Sequence, residues 1–340
     1  MTRAKSDHSA PAYAWLSPAA ASRSAAISVL RIVGDPQAVF AALSIRAVAP
    51  GEARLRDLGG IDAAVVARTS SGEVFITPHG GVAVRRAVSN WLEARGVRAA
   101  PADAPASTIF PEAGSDLEAR MLRTLARAAS PLAIDLLLDQ PRRWRTLGIE
   151  SASDADRLPE DQLSEIRSRS ARLKRLVVPA MVVAIGPPNI GKSTLLNTLA
   201  RRSVSIVADE PGTTRDHVGV YLDVCGVVVN YIDAPGIGTA SSDIDRDAQR
   251  ISLEVAARAD VLVLCADPTT DFIDVGSSAT TLRVSLRSDL GAPRGGSEVA
   301  VSAARGEGIE VLVSRLAEAA VPRAALEHPG PWAFWEAGAA

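Results

Sequence analysis

The stretch Met181-Val-Val-Ala-Ile-Gly-Pro-Pro-Asn-Ile-Gly-Lys-Ser-Thr194 places an apolar run directly before a glycine-rich loop. Within it, Gly186 to Ser193 has the pattern G-x-x-x-x-G-K-S, and the residues that follow, TLLNTLARR, have the composition of a helix. A strand, a glycine-rich loop and a helix in this order are the context that a phosphate-binding loop requires. The stretch therefore predicts a P-loop at residues 186–193.

The residue types of this loop predict its chemistry. Glycines such as Gly186 and Gly191 let main-chain N–H groups point inward around phosphate oxygens, and the helix N-terminus adds the positive end of its dipole. We expect Lys192 to reach the β- and γ-phosphates and Ser193 to bind Mg²⁺. The other loop residues expected to contact phosphate are Asn189, Ile190 and Thr194. The alternative is a chance glycine-rich turn with a helix-capping Ser.

A second segment, Pro211-Gly-Thr-Thr-Arg-Asp216, follows the predicted helix in a polar loop. A Thr in such a loop can bind Mg²⁺ and donate its main-chain N–H to the γ-phosphate. We assign this role, and a part in catalysis, to Thr214, with Thr213 as the alternative one residue earlier. Taken alone, the segment is a polar turn with a capping hydroxyl.

A third segment, Asp233-Ala-Pro-Gly236, follows a predicted β-hairpin at residues 217–232. The hairpin is indicated by the alternation in HVGVYLDV, the turn Cys225-Gly226 and the strand-like run VVVNYI. At the end of that strand, Asp233 can hold Mg²⁺ through a water molecule, and the N–H of Gly236 can meet the γ-phosphate. A lone D-x-x-G is usually a turn, but behind a P-loop it indicates a nucleotide site.

The candidate base site follows the predicted strand LRVSL. Guanine is usually read by a run Asn-Lys-x-Asp, whose carboxylate takes two N–H groups from the base. Here Asp289 is in place, Leu286 stands at the Asn position, and Arg287 at the Lys position could stack on the base. Ser302 and Ala303 would close the pocket. Because Leu286 cannot hydrogen-bond, we expect weaker guanine selectivity rather than none; the alternative for Asp289 is a solvated loop acid.

Composition and charge limit other classes of function. The 340 residues are 47% hydrophobic and 22% charged, as in ordinary globular proteins, and the net charge is −2. Binding of RNA would need a local basic patch, for which 142–145 and 167–175 are candidates; a solvated helix face is the alternative. The N-terminus lacks an apolar signal core and no apolar run could span a bilayer, so we expect a cytoplasmic protein without membrane contact.

The order of patterns predicts an α/β protein. Its main part is a P-loop GTPase domain with a mixed, mostly parallel sheet and helices on both faces, accompanied by a small N-terminal α/β domain and a reduced helical segment. The expected segments are a flexible N-terminus (1–24), the N-terminal domain (25–98), a linker (99–114), the helical segment (115–175), the GTPase domain (176–320) and a C-terminal tail (321–340).

The motifs GPPNIGKST, PGTTRD and DAPGI resemble the G domain of the MnmE (TrmE) tRNA-modification GTPases, within the TrmE–Era–Der group. The N-terminal stretch AAISVLRIVG resembles the RGGxGxxRxSG segment of that family. His79-Gly80-Gly81, followed by VAVRRAV and RGVRAA, is similar to its HGG…GAR-A stretch. The resemblance covers about 145 residues of the G domain and about 80 of the N-terminal part.

The resemblance implies a GTP- and GDP-binding protein that hydrolyses GTP with Mg²⁺ and K⁺ and acts on the wobble uridine of tRNA. It implies that Asn189 coordinates K⁺, that residues 208–212 wrap the ion, and that G domains dimerise. Many GTPases orient the attacking water with a Gln directly after D-x-x-G, where this chain has Ile237. The resemblance places an acid for that task at Asp245, which could equally be an ordinary acid in the first turn of a helix.

The sequence also departs from the family pattern. It ends Trp335-Glu-Ala-Gly-Ala-Ala340, without the Cys-x-Gly-Lys tail of the family, and the helical segment is short. These departures favour a second hypothesis, in which the chain is a nucleotide-binding switch, or an Era-like GTPase that associates with the ribosome or RNA, without modification chemistry.

Overall fold

The computed structural model describes residues 11–17, 26–101, 106–110, 112–202, 219–238, 243–293 and 295–337. The chain divides into two compact units: residues 1–127 with 150–152 form the first, and residues 128–149 with 153–340 form the second. Each unit contains one six-stranded sheet. Within the described ranges, no helix is both long enough and apolar enough to cross a membrane.

The first unit is built on a mainly antiparallel sheet. Its elements are β1 (Ala12–Trp15), β2 (Leu30–Val33), α1 (Pro36–Leu43), β3 (Glu52–Asp57), β4 (Ala63–Arg68), β5 (Val74–Thr77), α2 (Val82–Glu93), β6 (Arg98–Ala99), α3 (Ala106–Ile109) and α4 (Asp116–Leu125). The strand order is β3-β4-β5-β2-β1-β6, and only the β1–β6 pair is parallel. The core includes Leu30, Ile76 and Leu92, each with 0% exposure.

Two segments of this unit differ from the expectation. The N-terminal stretch was expected to be loose, yet β1 pairs with β2 in antiparallel register, from Ala12 opposite Val33 to Trp15 opposite Leu30. The expected linker contains α3, and the buried guanidinium of Arg31 on β2 donates to its last carbonyl, Ile109 O. The expectation is therefore wrong for residues 12–15 and 106–109, because contacts distant in sequence order both segments.

The second unit alternates strands and helices. Its elements are α5 (Ala133–Arg145), α6 (Glu160–Leu173), β7 (Ala180–Ile185), α7 (Lys192–Arg202), β8 (Val220–Val224), β9 (Val227–Asp233), α8 (Asp243–Ala257), β10 (Val261–Ala266), β11 (Thr280–Ser285), β12 (Val299–Ala300), α9 (Ile309–Ala320) and α10 (Arg323–Leu326). Short 3₁₀ turns also occur along the chain, at Ala152–Arg157, Lys174–Leu176, Ser288–Leu290 and Phe334–Glu336.

The sheet of the second unit has the order β12-β11-β10-β7-β9-β8. All neighbouring strands are parallel except β8 and β9, which form the predicted hairpin. Its turn uses Cys225 at φ 56° and Gly226 at φ 83°, the positive values that a two-residue hairpin turn with the right twist requires. The strands β7 and β10 are almost wholly buried and stand in the middle of the strand order. Because they are parallel, their carboxyl ends lie together in the middle of one sheet edge. The predicted mixed, mostly parallel sheet is confirmed.

The helical segment and the C-terminal tail pack together in the second unit. The expected segment 115–175 is divided, since α4 belongs to the first unit whereas α5 and α6 belong to the second. Trp332 and Phe334 have 0% exposure. The indole N–H of Trp144 on α5 donates to Trp332 O at 3.1 Å, and Ala333 N donates to the Ser170 hydroxyl on α6 at 2.8 Å. The tail therefore completes the core formed by these two helices.

Candidate functional site

The predicted P-loop connects the buried strand β7 to helix α7. Its turn is possible because Asn189 and Gly191 adopt positive φ values of 62° and 106°. A Cβ atom at Gly186 would lie 2.3 Å from the carbonyl oxygen of Cys265 on the neighbouring strand β10. Only glycine fits at position 186, so the loop turns immediately at the end of β7. The side chain of Ile190 is 2% exposed and packs in the protein interior, which anchors the loop. The main chain of the loop is therefore left to bind phosphate.

Lys192 is the first residue of α7 and is almost entirely buried, with 6% exposure. Its Nζ donates to the carbonyl oxygens of Gly186 and Pro187, at 3.1 and 2.8 Å. Burial lowers the pKa of the lysine, while the charge of Asp233 acts in the opposite direction. Two neutral carbonyl groups of the loop therefore hold the Lys192 ammonium group near the Asp233 carboxylate. An anion bound at the loop would interact with this positive charge.

Ser193 and Asp233 come together although they are 40 residues apart in sequence. The Ser193 hydroxyl donates to Asp233 Oδ2 at 2.5 Å. Among the residues that the structure describes, Asp233 Oδ1 is buried without a hydrogen-bond partner. An unpaired carboxylate oxygen beside a hydroxyl suits a hard divalent cation, which prefers oxygen ligands. The residues present therefore fit Mg²⁺.

The D-x-x-G loop lies directly against the P-loop. Ala234 N donates to Ala184 O at 3.2 Å, and Ile237 N donates to Gly186 O at 3.1 Å. A Cβ at Gly236 would approach Pro188 N and Cα to 2.6 and 2.5 Å, so a larger residue would push the two loops apart. The two predicted phosphate-binding loops are thus in van der Waals contact at a position that needs glycine.

Helix α8 supports this loop from the other side. The buried Ser252 hydroxyl lies 2.9 Å from Pro235 O, and Gln249 Nε2 donates to Gly238 O at 2.5 Å. Asp245 lies in the first turn of α8. Because only its main chain is described, its role as the water-orienting acid stays a prediction. Thr213, Thr214 and residues 208–212 lie outside the described residues, and their roles also stay predictions.

The candidate base site begins at Leu286, which is 3% exposed and donates its N–H to Ala266 O at 2.8 Å. Its side chain is packed in the core and offers no hydrogen bond. The next residue, Arg287, has φ 52° and places its guanidinium between two partners. It donates to Asp267 Oδ2 at 3.1 Å and to the P-loop carbonyl Asn189 O at 2.5 Å. Arg287 therefore links the candidate base loop to the candidate phosphate loop.

Asp289 and Ser302 lie near each other, and their role in base binding stays a prediction. The nearby Ser302 hydroxyl, followed by the charges of Arg305 and Arg287 among its causes, lowers the pKa of Asp289. Ser302 is fully buried and exchanges two main-chain hydrogen bonds with Glu307, each 3.1 Å long. The structure therefore brings an ionised carboxylate, a fixed hydroxyl and, next along the turn, Ala303 to one place.

Asp267 is a site residue that the sequence analysis missed. It follows β10, is 1% exposed, and accepts hydrogen bonds from Thr269 and Thr270 as well as from Arg287. The available signal was an acid at the carboxyl end of a buried strand, because ligands of α/β sheets bind at that edge. Its partner Arg287 could not be assigned from spacing, since the two are 20 residues apart.

Comparisons with known proteins agree with this site. Residues 181–287 match the family described as 50S ribosome-binding GTPase. The tRNA modification GTPase MnmE of Acidiphilium cryptum (strain JF-5) is 33% identical over an alignment of 355 residues, gaps included. The alignment covers 88% of this chain and 82% of that protein. MnmE of Parvibaculum lavamentivorans is 41% identical over 153 residues, covering 44% and 35% of the two chains.

Solved structures are also similar to part of this chain. An Era variant of Aquifex aeolicus bound to GDP.AlF4⁻ is 24% identical with a TM-score of 0.32, covering 42% of this chain and 57% of that one. The G domain of T. maritima FeoB is 27% identical with a TM-score of 0.31, covering 42% and 98%.

The A. cryptum relative aligns with nearly the whole chain, and the GTPase match contains both the P-loop and the Ser193–Asp233 contact. The predicted P-loop GTPase fold and the predicted resemblance are thereby confirmed. This chain binds GTP or GDP, as a GTPase domain of this kind does with Mg²⁺. The chain belongs to the MnmE family of tRNA modification GTPases.

Proposed function

We propose that this chain is a Mg²⁺-dependent, K⁺-stimulated GTPase that acts as a homodimer in the modification of the tRNA wobble uridine. The observation that carries the proposal is the contact of Ser193 with Asp233 beside the buried Lys192. These three side chains come from two loops that also touch at Gly236. A triphosphate lying over both loops would meet a cation, a helix N-terminus and a pair of metal ligands at once.

The magnesium site would be formed by Ser193 and Asp233, with Thr214 as the expected third residue. When bound, Mg²⁺ neutralises charge on the β- and γ-phosphates. The chain itself contributes the other parts. Lys192 supplies a fixed positive charge, and the main-chain N–H groups of the P-loop and Gly236 are available to the phosphate oxygens. Positioned donors of this kind stabilise the charge that develops during phosphoryl transfer.

K⁺ stimulation would depend on Asn189. Its exposed side chain belongs to a residue in the left-handed conformation, and Arg287 holds its carbonyl group. A second positive charge near the transferred phosphoryl group would replace the arginine that other GTPases use. Asp245 on α8 is the proposed water-orienting acid, since Ile237 after D-x-x-G cannot fill that role. The dimer and the tRNA substrate are proposed from family membership.

A second candidate function is a nucleotide-dependent switch without modification chemistry, including an Era-like association with RNA. The observation that favours it is Leu286, whose buried apolar side chain stands where a base-binding Asn is expected. A weaker base site is compatible with a protein that signals its nucleotide state through partner binding rather than through sustained turnover.

Two measurements test the proposal. The first is GTP turnover by the full chain with Mg²⁺ and equal concentrations of K⁺ or Na⁺, on wild type and on Asn189→Ala. We expect a higher rate in K⁺ that the variant loses; identical wild-type rates in both cations would remove K⁺ from the mechanism.

The second measurement is nucleoside analysis of tRNA from a deletion strain complemented with wild type or with Lys192→Ala. We expect wild type, but not the variant, to restore the modified wobble uridine. Normal tRNA in the deletion strain itself would favour the switch.

A further inference from the structure

Arg169 on α6 carries a buried positive charge that forms no salt bridge with a carboxylate among the described residues. Its side chain is only 9% exposed, and its hydrogen bonds go to neutral atoms, Pro331 O and His328 Nε2. A buried charge normally has an ionic partner, because removal from water is costly. Glu165 lies one turn earlier on α6, and its charge raises the pKa of Arg169 against the larger lowering effect of burial, but no salt bridge joins the two within the described part of the chain.

Arg169 lines an open cleft of about 500 Å³ between α6 and α10. Ser164, Ser168 and Arg172 line the same cleft. They are four residues apart on α6, so they project from one face of the helix. Their hydroxyl and guanidinium groups are hydrogen-bond donors, which suits an anion with several oxygen atoms.

The surroundings of the cleft are also positive. Arg143 on α5 donates to His328 O at 2.7 Å, on the segment that Arg169 holds. After burial, the charges of Arg169 and Arg143 contribute to lowering the pKa of His328, which lines the cleft, while the charge of Glu165 acts in the opposite direction. Asp139 is already shared between Arg142 and Arg143, Glu327 is paired with Arg323, and Glu165 lies on the wall of the cleft. Among the residues that line the cleft, two arginines, Arg169 and Arg172, therefore stand against one carboxylate, Glu165.

We propose that this cleft binds a phosphate group, held by Arg169 and Arg172 with Ser164 and Ser168 as further donors. The phosphate could belong to a small phosphorylated molecule or to the backbone of an RNA strand, since both present the same oxygens. The site lies on the helical part of the second unit and is independent of the P-loop. Binding would place a hydrogen-bonded negative charge beside Arg169, in addition to the more distant charge of Glu165.

The test uses the full chain loaded with GDP and Mg²⁺, so that nucleotide fills the P-loop. Inorganic phosphate is titrated against chloride at constant ionic strength, with calorimetry and Tm as readouts. We expect phosphate to raise the Tm above the chloride value. Arg172→Ala should weaken phosphate affinity by about tenfold, a typical loss for one charged hydrogen bond. The exposed side chain of Arg172 has no hydrogen bond or ion pair among the described residues, so this variant should fold normally.

Arg167→Ala is the matched control, because Arg167 lies on the same helix, pairs with Glu160 and does not line the cleft. It should bind phosphate as wild type does, and Glu165→Gln should bind more tightly because a repelling charge is lost. Equal affinities of wild type and Arg172→Ala would overturn the proposal. So would a large loss of Tm in Glu165→Gln without phosphate, which would identify Glu165 as the counter-ion.

A competition arm then separates the two sources of phosphate. An RNA oligonucleotide that displaces inorganic phosphate from wild type, and less so from Arg172→Ala, assigns the cleft to an RNA backbone. Phosphate binding that RNA does not disturb assigns it to a small phosphorylated molecule. Either result keeps the phosphate site, whereas absence of a phosphate-specific effect on wild type removes it.

Discussion

The Ser193 hydroxyl lies 2.5 Å from Asp233 Oδ2, although one residue lies in the first turn of helix α7 and the other ends strand β9. The contact forms because β7 and β9 are parallel neighbours, with Ala184 opposite Asp233. Their carboxyl ends therefore meet at the same sheet edge, and the loop after β7 folds back over β9. A serine and a carboxylate are thus fixed at the place where a nucleotide metal would be bound.

We predict that Asp233→Asn weakens binding of GTP in Mg²⁺ by about tenfold or more, because an amide oxygen is a poorer ligand for a hard cation. With EDTA in place of Mg²⁺, wild type and variant should bind alike. The measurement is nucleotide affinity by fluorescence titration under both conditions. Asp223→Asn is the control, since Asp223 accepts from Gly226 N in the hairpin turn and should leave Mg²⁺ dependence unchanged. An equal loss with and without Mg²⁺ would contradict the assignment.

Lys192→Ala should reduce nucleotide affinity by about 2–3 kcal/mol, a factor of about 30 to 160, because a charge-assisted hydrogen bond to phosphate is lost. The folded state should survive, since Lys192 bonds only to carbonyls of its own loop. Circular dichroism checks the fold and titration with GDP checks the affinity. Lys174→Ala, at an exposed lysine after α6, should behave as wild type. Unchanged GDP affinity in Lys192→Ala would refute the assignment of Lys192 to phosphate binding.

Asp289→Asn should remove most of the preference for GTP over ATP, because a carboxylate can accept two N–H groups from guanine and an amide cannot. Wild type itself should show a smaller preference than a protein with a complete Asn-Lys-x-Asp run, since Leu286 is apolar and buried. Competition of the two nucleotides for the site measures this. Asp271→Asn, at an exposed acid in a neighbouring loop, is the control. Equal GTP and ATP affinities in wild type would exclude Asp289 from base reading.

The parts of the site that were predicted from sequence are those set by local patterns. The strand–loop–helix around Lys192 and the hairpin ending at Asp233 both appear in the structure at the expected residues. The parts that were missed depend on contacts between distant segments. Strand β1 is held by its pairing with β2 and β6, and Asp267 is tied to the candidate base loop through Arg287. Neither contact leaves a periodic or spaced signal in the sequence.

Arg287→Ala should destabilise the second unit by about 1–3 kcal/mol, because the buried Asp267 carboxylate loses its cationic partner. Burial alone would raise the pKa of Asp267, but hydrogen bonds from Thr269 and Thr270 and the charge of Arg287 hold it below its usual value. A depressed pKa in the folded state stabilises the protein above the unfolded pKa of about 3.9. The difference between wild type and variant should therefore be full at pH 7 and shrink as the pH falls below about 4.

Urea unfolding at pH 7 and at pH 3.5 measures this difference. Arg258→Ala, at an exposed arginine after α8, should show no comparable loss at either pH. A destabilisation of Arg287→Ala that is equally large at both pH values would mean that the link to Asn189 O, rather than the ion pair with Asp267, carries the effect.

The docked tail should be a stability element, and substitutions at Trp332 can separate its packing from its hydrogen bonds. Trp332→Ala should cost about 3–5 kcal/mol, because a fully buried aromatic side chain leaves a cavity. Trp332→Phe should cost clearly less. The indole Nε1 has no partner among the described residues, and the bonds to Gln140 and Trp144 come from the main chain of Trp332. Trp335→Ala, at a partly exposed neighbour, should fall between wild type and Trp332→Ala in urea unfolding. If Trp332→Ala were as stable as wild type, the tail would not belong to the core of the second unit, and α5 and α6 would have to be held by other contacts.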